Sequence, residues 1–89
     1  MKVYVNLLFP RNEAEQKVAA IGNTSNWVED SHEYMGSPPA KGDVIEWHPD
    51  EHDEAPEGLY EVISRKLVTG SNIDSHFVVD AQLFDSWRS

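Results

Sequence analysis

The chain begins with a strict alternation. Val3, Val5, Leu7 and Phe9 fall on one side and Lys2, Tyr4 and Asn6 on the other, the period of a strand with one buried face. This predicts a strand over 2–9, broken by Pro10-Arg11-Asn12. Residues 12–21 admit two readings. In one, Asn12 caps a helix with Glu15 three positions on, Ala14, Val18 and Ile21 share a face, and Gly22 ends it. In the other, 16–21 is a strand returning from the turn. So short a helix is marginal alone, and the strand gives the first one a partner, so the strand is preferred.

Residues 22–42 read as a long connection. Gly22-Asn23-Thr24-Ser25-Asn26 is turn chemistry, and Gly36-Ser37-Pro38-Pro39-Ala40-Lys41-Gly42 is a stiff approach to a glycine turn. Trp27, Val28, Tyr34 and Met35 lie between them, and some are expected to fold back over the core. A short strand follows at 43–47, then a second long loop at 48–58. Residues 59–68 are the longest strand candidate, apolar on both faces: Tyr60, Val62 and Val68 against Leu59, Ile63 and Leu67. Two-sided burial suits a strand bending across a barrel. After the turn Thr69-Gly70-Ser71-Asn72, residues 75–84 alternate Phe77, Val79, Ala81 and Leu83 against His76, Val78, Asp80 and Gln82; residues 85–89 read as a loose tail. The expected fold is all-β, or mainly β with one short helix: a small five-stranded antiparallel barrel or curved sheet. Its core is expected to include Val5, Leu7, Val18, Ile45, Tyr60, Val62, Phe77 and Val79.

Composition narrows this picture. The 89 residues make one small acidic domain, 1–89, and chains of this size bury only about 60–65% of their unfolded surface. With no cysteine, disulfides, thiolate metal sites and thiol nucleophiles are excluded. No apolar run approaches membrane-spanning length, and the first residues lack the pattern of a secretion signal, so a cytoplasmic protein is expected. The net charge is −9, and it is concentrated. Between Glu29 and Glu61 stand eleven carboxylates against one base, Lys41, while residues 1–28 sum to +1 and 62–89 to zero. Such a charge argues against nucleic acid or a membrane as direct partners.

Two stretches carry a resemblance. Pro38-Pro39-Ala40-Lys41-Gly42-Asp43-Val44-Ile45 and Gly58-Leu59-Tyr60-Glu61-Val62-Ile63-Ser64-Arg65 resemble a pattern in small uncharacterised β-barrel proteins of bacteria and their phages. There a Pro-x-x-Gly-Asp turn launches a strand and a Tyr-x-Val strand follows; the turn is also similar to those opening strands in SH3-like barrels. The likeness covers about a third of the chain, implies a fold, and implies no activity, because this architecture hosts many unrelated functions.

The densest chemistry lies in Glu46-Trp47-His48-Pro49-Asp50-Glu51-His52-Asp53-Glu54-Ala55-Pro56-Glu57. His48 and His52 have the spacing of a zinc pair on a helix, with Asp50 or Asp53 as a third ligand, but Pro49 and Pro56 oppose a helix there. A calcium loop starting at Asp50 would need glycine where Ala55 stands. A solvated, mobile, metal-free loop is therefore expected, with no cofactor. No serine sits in a nucleophile elbow, and nothing marks an apolar pocket that would set two carboxylates apart in pKa, so no enzyme is expected. The expected role is a protein-interaction module docking a basic surface of a partner protein through Glu46, Trp47, Asp50, Glu51, Asp53, Glu54, Glu57 and Trp27, with charge steering association and Trp47, Trp27 or Tyr34 as anchors. The alternative for Trp27 and Trp47, preferred in so small a chain, is that they roof a core that Val and Leu cannot fill. The alternative role is a phage-type nucleic-acid mimic that inhibits a host DNA- or RNA-binding enzyme. Acids on one face of a strand recur at about 6.6–6.8 Å, close to the phosphate spacing along one nucleic-acid strand.

Overall fold

In the computed structural model, which describes residues 2–10 and 27–86, β1 (Lys2–Phe9) forms where the alternation placed it. It lies inside a single sheet with β2 (Val28–Tyr34), β3 (Val44–Trp47), β4 (Gly58–Gly70) and β5 (Ile73–Ser86). The spatial order is β2-β1-β5-β4-β3, and the sheet curls into a half-barrel with no helix among the described residues. Three pairings are antiparallel. The fourth, β1 with β5, is parallel in the register Val3↔Phe77, Val5↔Val79 and Leu7↔Ala81, so the two ends of the described chain meet in the middle of the sheet.

The concave face is the core. Val3, Val5, Leu7 and Phe9 of β1, Tyr60 and Val62 of β4, and Val79, Ala81 and Leu83 of β5 are buried, and Ala55 joins them from the loop before β4. Ile45 and Phe77 are half-buried against this cluster; Val18, and the choice between helix and strand over 12–21, lie outside the described residues. On the convex side one polar line crosses four strands. The Ser31 hydroxyl donates to Asn6 Oδ1 at 2.5 Å, Asn6 Nδ2 donates to Asp80 Oδ1 at 2.9 Å, and the Ser64 hydroxyl donates to Asp80 Oδ2 at 2.9 Å. These bonds follow the Asn6↔Ser31, Asn6↔Asp80 and Ser64↔Asp80 pairings. A one-residue slip would turn the line into the core.

Two expectations are corrected. The connection expected over 22–42 contains β2, whose inward positions Asp30 and His32 are polar and so hid the alternation. The expected two-sided burial of 59–68 is not seen: Ile63 and Leu67 are 39% and 51% exposed. A register shift between Val62 and Ser64 resets the strand, as an extra residue in one strand does. Beyond it, β4 and β5 run on as an arm, with Arg65 stacked 5.8 Å from the centroid of the Phe77 ring.

The link from β2 to β3 closes with a tight turn. Asp43 N donates to the Ala40 carbonyl at 3.0 Å and Ala40 N to Asp43 Oδ2 at 2.8 Å. Gly42 takes φ +96°, which side chains disfavour, and its amide bonds the Val62 carbonyl at 2.9 Å. The Gly-Asp pair of the sequence is thus the hinge that delivers β3 onto β4.

Candidate functional site

The loop 48–57, expected to be mobile, is hydrogen-bonded to the barrel at several points. Ala55 is only 1% exposed, and three side chains of the barrel grip the backbone around it. Trp47 Nε1 donates to the Ala55 carbonyl at 3.2 Å, and the Tyr60 hydroxyl donates to the Pro56 carbonyl at 2.7 Å. The Asp30 carboxylate accepts the amides of Ala55 at 3.0 Å and Glu54 at 3.2 Å, as well as His32 Nε2 at 2.8 Å. Within the loop, Asp50 Oδ1 accepts the His52 amide at 2.8 Å and Asp53 Oδ2 the Asp50 amide at 3.0 Å. Short aspartates closing turns on nearby amides are what this composition does best. Asp50 and Asp53 therefore build the loop.

Electrostatics follows from these contacts. Burial pushes the Asp30 carboxyl upward, but the His32 hydrogen bond and the Ala55 and Glu54 amides outweigh it and hold the group below the ordinary carboxylate value. Tyr60 moves the other way: burial, reinforced by the negative charge of Asp30, keeps its hydroxyl protonated far above the usual range. His48 bridges Glu46 at 2.7 Å and Glu57 at 3.0 Å. The Glu46 hydrogen bond, then that to Glu57, raise its pKa above the ordinary imidazole value.

Among the described residues the half-barrel does not close between its edge strands β2 and β3. Near the loop they touch, with the His32 and Trp47 rings 4.5 Å apart. Toward the other end they part around a cleft of about 530 Å³, floored by Val5 and Leu7 and walled by His32 and Tyr34 on one side and Ile45 and Trp47 on the other. Glu33, Asp43 and Glu46 also line it, and among the described residues no lysine or arginine does. Tyr34 and Val44 at the open end are 45% and 54% exposed.

The residues singled out by sequence divide accordingly. Glu46 and Trp47 belong to the cleft and Glu57 meets Glu46 through His48. Asp50, Glu51 and Glu54 are exposed on the adjoining loop and Asp53 is half-exposed. Trp27 packs against the core. Tyr34 was named as an anchor, but Glu33 and Asp43 were not singled out; Glu33 was hidden in the stretch read as connection, and Asp43 was visible only as a turn residue. Among the described residues no three His, Asp or Glu side chains are placed to hold a metal ion, and none forms a helix able to cross a membrane. Comparison with family models, with curated proteins and with solved structures yields no match.

Proposed function

We propose that the protein is a non-enzymatic, cytoplasmic interaction module that docks a basic surface of a partner protein. The observation that carries this is the cleft and its neighbour loop taken together: an apolar floor, a half-buried tryptophan, three lining carboxylates and, among the described residues, no lysine or arginine in the lining. The loop supports it because its backbone is tied to the barrel and its Asp50 and Asp53 carboxylates are fixed on loop amides. A rigid acidic surface spares a partner the ordering cost that a flexible one would impose, and concentrated charge of one sign speeds encounter with the opposite sign.

The nucleic-acid mimic would draw support from acids at successive outward positions of a strand. β2 presents Glu29 and Glu33 outward with Ser31 between them, and β3 presents Glu46 beside Val44. That spacing is about twice the one required, so the geometry favours a protein partner.

The test is affinity capture from lysate at low and high salt, followed by kinetics with the purified partner. Glu33, Glu51 and Glu54 changed to Gln should slow association and flatten its salt dependence while leaving dissociation little altered. Binding that survives both changes would falsify the electrostatic reading. Duplex DNA displacing the partner would favour the mimic.

A further inference from the structure

The open seam has a regular chemical pattern. Asp43 O accepts from Val62 N at 2.9 Å, one step before the pairs Val44↔Glu61, Ile45↔Tyr60, Glu46↔Leu59 and Trp47↔Gly58. Antiparallel ladders alternate, so Ile45 and Trp47 turn their amides and carbonyls to β4. Val44 and Glu46 turn theirs to the seam, where the described sheet ends. Side chains alternate in the same phase. Ile45 and Trp47 point to the core side, and on β2 His32 and Tyr34 do so too, opposite Val5 and Val3. Glu46 and Glu33 stand on the outer side.

We propose, building on the interaction-module reading above, that the seam takes up an extended basic peptide segment of the partner as an added strand on β3, with apolar and basic residues alternating. Its apolar residues would enter the cleft over Val5 and Leu7, between the aromatic walls. Its lysines or arginines would lie outward, between Glu33 on one side and Glu46 on the other, the cross-strand arrangement that opposite charges favour. Its backbone would satisfy the seam-facing groups of Val44 and Glu46, as strand addition does at other exposed edges. Four residues in β3 limit the ladder to about 13 Å. The charge pattern selects this occupant over a second copy of the chain, because pairing β3 antiparallel with its equivalent would leave the two Glu46 side chains opposite or diagonal to each other on one face.

The experiment uses three synthetic peptides of one length: alternating Val and Lys, the same residues in two blocks, and alternating Val and Glu. Binding to the full chain is followed by fluorescence polarisation at low salt and by backbone amide NMR shifts. The alternating basic peptide should bind best and move the amides of Val44 and Glu46. N-methylation of its backbone at every second residue, in the phase that faces β3, should weaken it about tenfold, the scale of one or two lost hydrogen bonds. Val44→Pro, which removes a seam-facing amide while leaving the β4 ladder intact, should do the same. Glu33→Lys with Glu46→Lys should transfer preference to the Val/Glu peptide. If the block and alternating basic peptides bind equally and N-methylation is harmless, strand addition is wrong while the acidic-module reading stands. If no basic peptide binds, both fall. Dimerisation of the chain that shifts the Val44 and Glu46 amides and is abolished by Val44→Pro would overturn the peptide proposal and assign the seam to a second copy.

Discussion

At Asp30, burial works against the negative charge while His32 and two loop amides work for it, and the second set wins. Replacing Asp30 by Ala leaves the Ala55 and Glu54 amides without their acceptor, so urea unfolding should show a loss of about 2–4 kcal/mol. Because the folded-state pKa is depressed, the contribution is present above the ordinary carboxylate pKa and fades as pH falls through the folded value. The wild type should therefore lose stability on acidification faster than the variant. His48 has the opposite sign. Its raised pKa means the Glu46–His48–Glu57 bridge is complete below the ordinary imidazole value and is lost as pH rises through the folded one. NMR titration should find His48 titrating above an unperturbed histidine, and Glu46→Gln should bring it back toward normal.

At the level of elements, β2 shows where sequence reading stops. β1 and β5 bury aliphatic residues at alternate positions and were legible from their period. β2 is an edge strand whose inward side carries Asp30 and His32, doing the work of hydrogen bonding and stacking, so no hydrophobic period marks it. The same polarity protects it, since charged edges resist unwanted pairing. The candidate site was half legible for a related reason. Charge density pointed to the loop and to Glu46 and Trp47, but Glu33 and Tyr34 join them only once β2 is a strand. The loop's attachment centres on one alanine, Ala55, whose neighbours gave no sign that it would be core. Tyr60→Phe should cost about 1 kcal/mol through the lost Pro56 bond, and Tyr60→Ala about 3–5 kcal/mol. Leu67→Ala on the exposed arm should stay within about 0.5 kcal/mol. Thermal melts of the three variants separate barrel from arm.

Taken as a whole, the molecule divides its acids between two tasks. Asp30, Asp50 and Asp53 accept amides and hold the loop, whereas Glu51 and Glu54 stand exposed. Neutralising Glu51 and Glu54 to Gln should leave the melting temperature unchanged or slightly raised, because it relieves like-charge repulsion; a marked fall would mean they too are structural. The parallel pairing of β1 with β5 has a consequence in time. Asn6 and Asp80 bond across 74 positions of sequence, so the centre of the sheet needs a contact whose loop-closure cost must be met before it gives anything back. Among the described pairings, the β4–β5 hairpin has the shortest loop to close, with Gly70 opposite Ile73. A ribosome must release residues as far as about 82 before β1 finds its inner neighbour, so until then the apolar face of β1 lacks β5 and stays open to capture by a chaperone.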